Sequence, residues 1–274
     1  KAHYDLERDC EPQVYGIGIK ELWDIDPEKH VPGRVIHTQG WPLSESNSWG
    51  GGFLYHQANN QVALGFVTAL DYANPYVYPF EEFQRWKTHP EIRAILEGGR
   101  RVSYGARAIN EGGWQSVPRL SFPGGALIGC SAGFVNVPRI KGSHTAMKSG
   151  MLAAESVMAA LQTDGVAPAR LEDFSARIND SWLGKELHSS RNFSGFMHKF
   201  GTLLGAAMVW IDQNIFSGRL PFTLHDTKPD YACLDEAAVA NHPSRAELRR
   251  IVNEWDGRAR VGVWRRRSGR RRTA

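Results

Sequence analysis

Hydrophobic and polar positions along the first 110 residues predict a region made mostly of β-strands. Apolar, β-branched and aromatic residues are concentrated in short runs, and turn-forming residues separate these runs. We expect three single strands and one hairpin with a polar turn at 57–60. The strands are Val14–Ile25, Arg34–Thr38 and Arg101–Ile109, and the hairpin is formed by Trp49–His56 and Gln61–Leu70.

Apolar spacing of three and four residues predicts helices elsewhere in the chain. Glu81–Leu96 has one apolar face and a break at Pro90, so we expect two short helices there. Arg170–Ser190 and Phe193–Phe216 continue the helical spacing. The part of the last helix between 200 and 211 carries no charged residue. It is too short to span a bilayer, so it suits either a buried helix or one that lies in a membrane interface.

The glycine-rich stretch Gly124–Ser156 has the pattern of a strand, a turn and a helix that bind a cofactor or an anion. Ala126–Ile128 predict a buried strand that ends at Gly129, and a good helix follows Gly142. The first turn of this helix has no acidic residue, so its free N–H groups and positive dipole end can face a ligand. An ordinary strand–loop–helix connection has the same pattern, and both interpretations stay open at this point.

The composition is that of a globular protein of one or two domains, with 274 residues, 42% hydrophobic and 23% charged. The formal net charge is +4, but Gly257–Ala274 alone holds eight Arg and no acidic residue. Subtracting these eight charges leaves −4 for the remainder, so we do not expect nucleic acid as a partner. We expect 244–274 to be a disordered or non-native Arg-rich tail.

Candidate chemistry in the side chains is sparse. The three cysteines are distant in sequence and form no C-x-x-C pair, which argues against a metal site within the chain. No nucleophile elbow or Walker loop is present, and the adjacent Ser143 and His144 do not suit a catalytic dyad. We therefore expect neither a catalytic side chain nor a metal ligand, and place the chemistry in a bound cofactor. The first residue is not Met, and we expect a fragment of a longer protein.

Several stretches resemble, in the same order, the electron transfer flavoprotein–ubiquinone oxidoreductase family. The glycine-rich stretch is similar to that family's second FAD-binding segment, and the resemblance extends from about Cys10 to His225. Other similar stretches are CEPQVYGIGIKELWDID, WGGGFLYH, VALGFVTALDYANPY and LEGGRRVSYGARAINEGGWQS. Two features of the family are missing from this sequence: the GxGxxG turn that holds the ADP half of FAD, and the four cysteines of an iron–sulfur cluster.

The resemblance implies an α+β or α/β fold. Part of an FAD domain of the two-dinucleotide-binding-domain flavoprotein type would accompany a β-sheet ubiquinone-binding domain. The ubiquinone-binding domain would lie mainly in 1–110, the second part of the FAD-binding domain in 111–165, and a helical, membrane-contacting region in 166–243.

The resemblance also implies an enzyme, an electron-transferring-flavoprotein dehydrogenase. Such an enzyme takes electrons from reduced electron transfer flavoprotein and passes them to ubiquinone. Its cofactors are FAD and, in the full-length family, a 4Fe–4S cluster, whose ligands are absent here. It lies on the surface of the bacterial cytoplasmic membrane or of the mitochondrial inner membrane without crossing it.

Individual residues acquire roles from the same resemblance. The quinone-binding positions are Trp49, Gly50 and Gly51, and Trp49 replaces a residue that is often Tyr in the family. The FAD-binding positions are Gly129, Cys130, Ser131, Asn136, Gly142, Ser143 and Thr145, with Asn136 and Ser143 against the flavin ring. The membrane-contacting positions are Phe200, Leu203, Leu204, Met208 and Ile211, which favours the interfacial interpretation of this helix.

Two alternatives remain open. A FixC-like or geranylgeranyl reductase-like flavoprotein would share the strand–loop–helix around Gly129, but we would not expect it to contain both WGGGFLYH and LEGGRRVSYGARAINEGG. A non-catalytic remnant that binds quinone or lipid without flavin is the second alternative.

Overall fold

The computed structural model describes residues 1–164 and 170–234, so the Arg-rich tail lies outside the described residues. The strands are β1 (Tyr15–Asp24), β2 (Val35–Gln39), β3 (Gly50–His56), β4 (Gln61–Ala69), β5 (Arg100–Asn110), β6 (Ser121–Phe122) and β7 (Gly125–Ala126). The α-helices are α1 (Pro79–Lys87), α2 (Pro90–Leu96), α3 (Gly129–Ala132), α4 (Ser143–Asp164), α5 (Phe174–Asp180), α6 (Trp182–Ser189) and α7 (Phe193–Asn214).

The described residues form two compact units. The sheet unit contains Gly18–Thr68 and Asn74–Arg107, and the helical unit contains Lys1–Ile17, Ala69–Ala73 and Ala108–Leu234. Each unit is discontinuous in sequence, whereas the domain limits expected at 110, 165 and 243 divide the chain into consecutive pieces. Those limits stay predictions, and the fold of the described residues is a mixture of helices with a sheet that contains antiparallel strands.

The strands predicted in the first 110 residues are present and form one five-stranded sheet. Its order is β2-β3-β4-β1-β5, and β3 is antiparallel to both β2 and β4. The predicted hairpin of β3 and β4 turns through Asn59 and Asn60, whose φ angles are 60° and 54°. Asn adopts this left-handed conformation more readily than most residues, which explains why the chain reverses here.

Helices α1 and α2 supply aromatic and aliphatic side chains to the core of the sheet unit. Each helix begins with a Pro, which has no N–H to leave unsatisfied in the first turn. The ring of Phe83 of α1 contacts those of Phe66 of β4 and Trp86, with centroids 6.1 and 6.0 Å away, and the Phe66 and Trp86 rings contact each other at 5.9 Å. All three rings are buried, and they join the helix to the sheet.

Glycines in β3 allow this helix to approach the sheet closely. A Cβ atom on Gly52 would overlap the indole of Trp86, with its Nε1 only 2.8 Å away. The same indole Nε1–H donates a hydrogen bond to Thr38 Oγ1 of β2, at 2.8 Å. A Cβ atom on Gly51 would overlap the carbonyl oxygen of Thr38, and one on Gly50 would lie 2.7 Å from Leu43. The packing of the chain itself therefore requires three consecutive glycines.

A buried ion cluster lies within the sheet unit. The Glu21 carboxylate is 2.8 Å from Lys87 Nζ and 3.1 Å from Arg101, and it also accepts a hydrogen bond from the Trp23 indole. Burial lowers the pKa of Lys87, and the negative charge of Glu21 opposes this shift. Because an unpaired buried charge is costly, each member of this cluster depends on the others.

The core of the helical unit contains most of the predicted helix faces. Leu152 of α4, Phe174 and Ile178 of α5, and Leu183 and Leu187 of α6 are buried in one cluster. Trp182 has the same helical spacing, but it is 46% exposed and lies outside this core. It stacks on His144 instead, with ring centroids 5.7 Å apart.

The prediction of a buried strand at Ala126–Ile128 is wrong. Strands β6 and β7 have two residues each and pair with one another across Pro123 and Gly124. Gly124 has a φ of 79°, which glycine adopts without strain and which suits the turn. Ile128 is 43% exposed, and the chain enters the one-turn helix α3 at Gly129.

The sequence pattern predicts loose structure after Pro221, but residues 222–226 are held by contacts within the helical unit. Asn192 donates a hydrogen bond to the Phe222 carbonyl and accepts one from the Leu224 N–H, at 3.1 and 2.8 Å. His198 of α7 lies between two carboxylates, 2.5 Å from Asp226 and 3.1 Å from Asp71. These contacts attach the segment to α7.

Replacing Gly52 with Ala should lower the free energy of unfolding by about 1–3 kcal/mol, because the new Cβ atom overpacks against Trp86. Urea denaturation measures this change. Gly105→Ala in β5 is the matched control, since no described atom lies within 4 Å of its Cβ position. Equal losses in the two variants would contradict the packing explanation.

The stability of the protein should fall as the pH rises from 6.5 to 9. Burial acts to lower the pKa of His198, but hydrogen bonds to Asp71 and Asp226 and their charges outweigh it and raise the pKa to about 9, from 6.5. The folded state therefore keeps a proton that the unfolded state releases, and a contribution of up to about 3 kcal/mol is complete below pH 6.5 and is lost through pH 9. Urea denaturation across this range should give a flatter curve for His198→Gln. A slope identical to that of the parent protein would show that His198 is not responsible.

Candidate cofactor and quinone sites

The start of helix α4 has the features expected of an anion-binding helix terminus. Ser143 opens the helix and is exposed, and the first turn contains no acidic residue. The Ala146 N–H donates to the Gly142 carbonyl at 2.9 Å. The N–H groups of Ser143, His144 and Thr145 precede it and have no acceptor within the helix, so they are available to a ligand. The Thr145 hydroxyl is buried and lies within hydrogen-bond distance of two carbonyl oxygens, those of Phe134 and, at 2.9 Å, of Gly142, which share its single proton. Thr145 therefore ties the preceding loop to the helix.

The turn at Gly129 is packed directly against the same helix. The Gly129 N–H donates to Ser149 Oγ at 3.0 Å, and its φ is 56°. A Cβ atom at this position would lie 3.1 Å from the Ala146 Cβ atom, so glycine permits the close approach. Cys130 is partly buried and its Sγ accepts a hydrogen bond from the Asn110 N–H at 3.4 Å, whereas Ser131 is exposed.

Asn136 is buried, and its side chain is hydrogen-bonded within the protein. Its Oδ1 accepts from the Arg139 N–H at 3.2 Å, and its Nδ2 donates to Glu186 at 2.6 Å. Its backbone forms an isolated bridge with Lys141. The structure thus brings Asn136, Gly142, Ser143 and Thr145 into one loop and helix terminus, with Asn136 shaping the loop.

The sequence interpretation missed two residues of this region, Asn110 and Glu186. Asn110 is 4% exposed, and its Nδ2 has no hydrogen-bond partner in the described part of the chain. A Cβ atom on Gly133 would lie 3.5 Å from this donor. A buried donor without a partner is costly, and a polar ligand would satisfy it. The only sequence signal for Asn110 is its place between a predicted strand and Gly112–Gly113, and Glu186 has none because it lies on another helix.

These observations fit FAD, whose phosphates are anionic and whose ring carries hydrogen-bond acceptors. The helix terminus suits the negative charge, the glycine at 129 lets the backbone approach closely, and the Asn110 amide provides an unused donor. Among the described residues, no group of three or more His, Cys, Asp or Glu side chains could hold a metal ion. Cys10, Cys130 and Cys233 are free thiols and do not fit an iron–sulfur cluster.

The predicted quinone-binding positions lie in the sheet unit, at the start of β3. Trp49, Gly50 and Gly51 are partly buried. A Cβ atom would overlap Val67 of β4 at Gly50 and Thr38 of β2 at Gly51, so the presence of these glycines does not by itself require a ligand.

The predicted membrane-contacting residues form an exposed apolar surface on helix α7. Leu203 is 90% exposed, Phe200 and Leu204 are also exposed, and Met208 and Ile211 are partly exposed. The helix changes direction at Gly201, whose φ of 70° is not helical. No helix within the described residues is both long and apolar enough to cross a bilayer. Several exposed apolar side chains on one helix differ from the single apolar residues that are scattered over most protein surfaces. Apolar patches of this kind mark interaction sites.

Comparison with known proteins points to one family. The family model for the ubiquinone-binding domain of ETF-QO matches residues 15–109. The electron transfer flavoprotein-ubiquinone oxidoreductase of Pseudomonas aeruginosa is 56% identical over 237 residues, which are 86% of this chain and 43% of that protein. The human mitochondrial protein of the same name is 51% identical over 241 residues, which are 85% of this chain and 39% of that protein. The chain thus spans less than half the length of these curated relatives.

Among solved structures, the flavin-dependent brominase Bmp2 aligns with 94% of this chain and 61% of its own, at 15% identity and a TM-score of 0.47. A similarity this low supports no assignment of fold or function.

Replacing Thr145 with Val should lower the free energy of unfolding by about 1–2 kcal/mol, because the carbonyl oxygen of Phe134 loses a buried donor, whereas that of Gly142 keeps the Ala146 N–H. Thr145→Ser retains the hydroxyl and should lose less. Urea denaturation without added cofactor measures both variants. If Val proves as stable as Ser, the hydroxyl does not hold the loop to the helix.

Proposed function

Because the chain belongs to the electron transfer flavoprotein–ubiquinone oxidoreductase family over the part of that protein which it spans, we propose that it takes part in electron transfer from reduced electron transfer flavoprotein to ubiquinone. The observation that carries the proposal is identity above 50% to relatives of that name across more than four fifths of the chain. The match of 15–109 to a ubiquinone-binding model favours this function over that of a FixC-like or geranylgeranyl reductase-like flavoprotein.

Ubiquinone would bind to the sheet unit. Trp49, Gly50 and Gly51 would form the contact, with the glycine backbone rather than a side chain against the head group. The match of residues 15–109 to the ubiquinone-binding family model supports this role, because these three positions lie within the matched range.

FAD would bind to the helical unit, in an FAD domain of the two-dinucleotide-binding-domain type. The loop Gly129–Ser131 and the first turn of α4, with Ser143 and the adjacent Gly142, would hold it, and Thr145 and Asn136 would shape the loop around it. Bound there, FAD would supply the redox centre between the two electron-transfer partners. The positive end of α4 would stabilise negative charge on the cofactor. No step through a 4Fe–4S cluster follows, since the described cysteines do not fit one.

The protein would lie on the membrane surface, with helix α7 in contact with the lipid. The exposed apolar residues of this helix support the proposal, because the free energy of the system falls when apolar surface moves from water into lipid. The relatives of the same name come from a bacterium and from mitochondria, so the membrane would be the bacterial cytoplasmic or the mitochondrial inner membrane.

The proposal is tested by purifying the 274-residue chain with added FAD and measuring reduction of a ubiquinone analogue by reduced electron transfer flavoprotein. We expect flavin absorbance in the purified protein and turnover of the quinone. A colourless preparation that binds the quinone analogue alone would favour the non-catalytic remnant. A yellow protein that reduces an isoprenoid but not the quinone would favour the geranylgeranyl reductase-like alternative.

Replacing Leu203 or Leu204 with Asp should abolish association with liposomes, because each change places a charge in the surface that would enter the lipid. Co-sedimentation with vesicles measures the bound fraction. Tyr104→Asp is the matched control, since Tyr104 is 77% exposed on β5, away from α7 in the sequence. Binding that survives in both leucine variants would remove α7 from the membrane contact.

A further inference from the structure

Glu186 of helix α6 joins three groups that belong to the candidate cofactor loop. Its Oε1 accepts from Asn136 Nδ2 at 2.6 Å and lies 2.8 Å from His144 Nε2. Its Oε2 lies 3.4 Å from the Arg139 guanidinium. The Glu186 side chain is only 15% exposed and Asn136 is buried, so the hydrogen bond between them is shielded from competition by water, whereas Arg139 is exposed.

The same face of α6 holds His144 in a second way. Trp182 precedes Glu186 by four residues, which places both on one side of the helix. The Trp182 ring stacks on the imidazole with an angle of 7° between the ring planes. Glu186 binds the imidazole nitrogen while Trp182 covers the ring face, so α6 determines the orientation of His144.

Through these contacts Glu186 connects the two ends of the loop between Asn136 and the first turn of α4. The loop is already closed at its base by the bridge between Asn136 and Lys141. The side-chain oxygen Oδ1 of Asn136 accepts a hydrogen bond from the Arg139 N–H, and its Nδ2 donates one to Glu186. His144 is the second residue of α4, so a single carboxylate fixes both the loop and the helix terminus.

The negative charge of Glu186 is balanced within the cluster. Burial acts to raise its pKa, but hydrogen bonds from His144 and Asn136 and the charge of Arg139 outweigh burial and hold the pKa below its usual value. The group therefore remains a carboxylate at neutral pH. Because Arg139 carries a permanent positive charge beside it, the cluster does not repel an anionic ligand in the way that a lone carboxylate would.

We infer that Glu186 is a positioning residue for the cofactor, which acts through Asn136 and His144 to hold the loop and the first turn of α4 in their binding conformation. The identity of the ligand rests on the proposed function, whereas the ordering of the loop does not. Glu186 lies 42 residues from His144 in the sequence, so the requirement arises only from the packing of α6 beside α4.

The inference is tested by replacing Glu186 with Ala and with Gln in the full chain. Hydrogen exchange of the amides of 136–146, measured without FAD, should become faster in Glu186→Ala. The Kd for FAD, measured from quenching of flavin fluorescence, should rise about tenfold in this variant, as expected for loss of a hydrogen bond to a charged group. The visible absorption bands of the bound flavin should also shift, which a loss of stability alone would not cause.

Glu186→Gln separates hydrogen bonding from charge. A Gln side chain can still accept from Asn136 Nδ2, so it should restore most of the protection and most of the affinity. The matched control is Asp173→Ala, which removes a carboxylate that pairs with Arg177 at the start of the neighbouring helix α5 and should leave the loop unchanged.

The outcomes distinguish this inference from the proposed function. If Glu186→Ala binds FAD with the affinity and spectrum of the parent protein, the inference is wrong. If the parent chain binds no FAD, the proposed function fails, and hydrogen exchange decides the inference alone. In that case faster exchange of 136–146 in Glu186→Ala supports the positioning role, and unchanged exchange overturns it.

Discussion

The indole of Trp86 occupies the space next to the backbone of residue 52, and the sheet unit depends on this close approach. It positions α1 so that Phe83 and Phe66 stack and so that Lys87 reaches the Glu21 carboxylate. A side chain at residue 52 would displace the Trp86 ring and the adjacent Lys87, whose positive charge the buried Glu21 carboxylate needs. The glycines of β3 are therefore required by packing, and a role in contacting quinone would be additional to that requirement.

The helical unit uses the same kind of constraint at the candidate cofactor site. Gly129 allows the turn before α3 to approach Ala146, and Ser149 satisfies the N–H group exposed by that turn. Asn136 and Thr145, which the family resemblance places at the cofactor, direct their polar atoms at the protein itself. Their contribution to binding would come from the shape of the loop, whereas the free N–H groups of α4 and the Asn110 amide are the donors left for a ligand.

Binding in either unit would be governed by rigid local packing rather than by isolated functional side chains. This suits the proposed role in electron transfer, in which the cofactor would carry out the chemistry and the chain would control its position and electrostatics. The apolar surface of α7 is different, because its exposed side chains do not pack in the core. Contact with another apolar phase would remove them from water and lower the free energy.

Local patterns in the sequence were sufficient for the strands of the sheet, the β3–β4 hairpin, the break at Pro90 and the start of α4, because each depends on residues that are neighbours in the chain. The order of the similar stretches was sufficient to identify the family. Contacts between distant segments were not predictable in this way. Periodicity indicated an apolar face for α6, but it could not show that Trp182 leaves the core to cover His144, or that Glu186 meets Asn136 from 50 residues away. Buried charges and orphan donors acquire their partners only when helices pack, so tertiary structure alone determined which polar groups shape the candidate site.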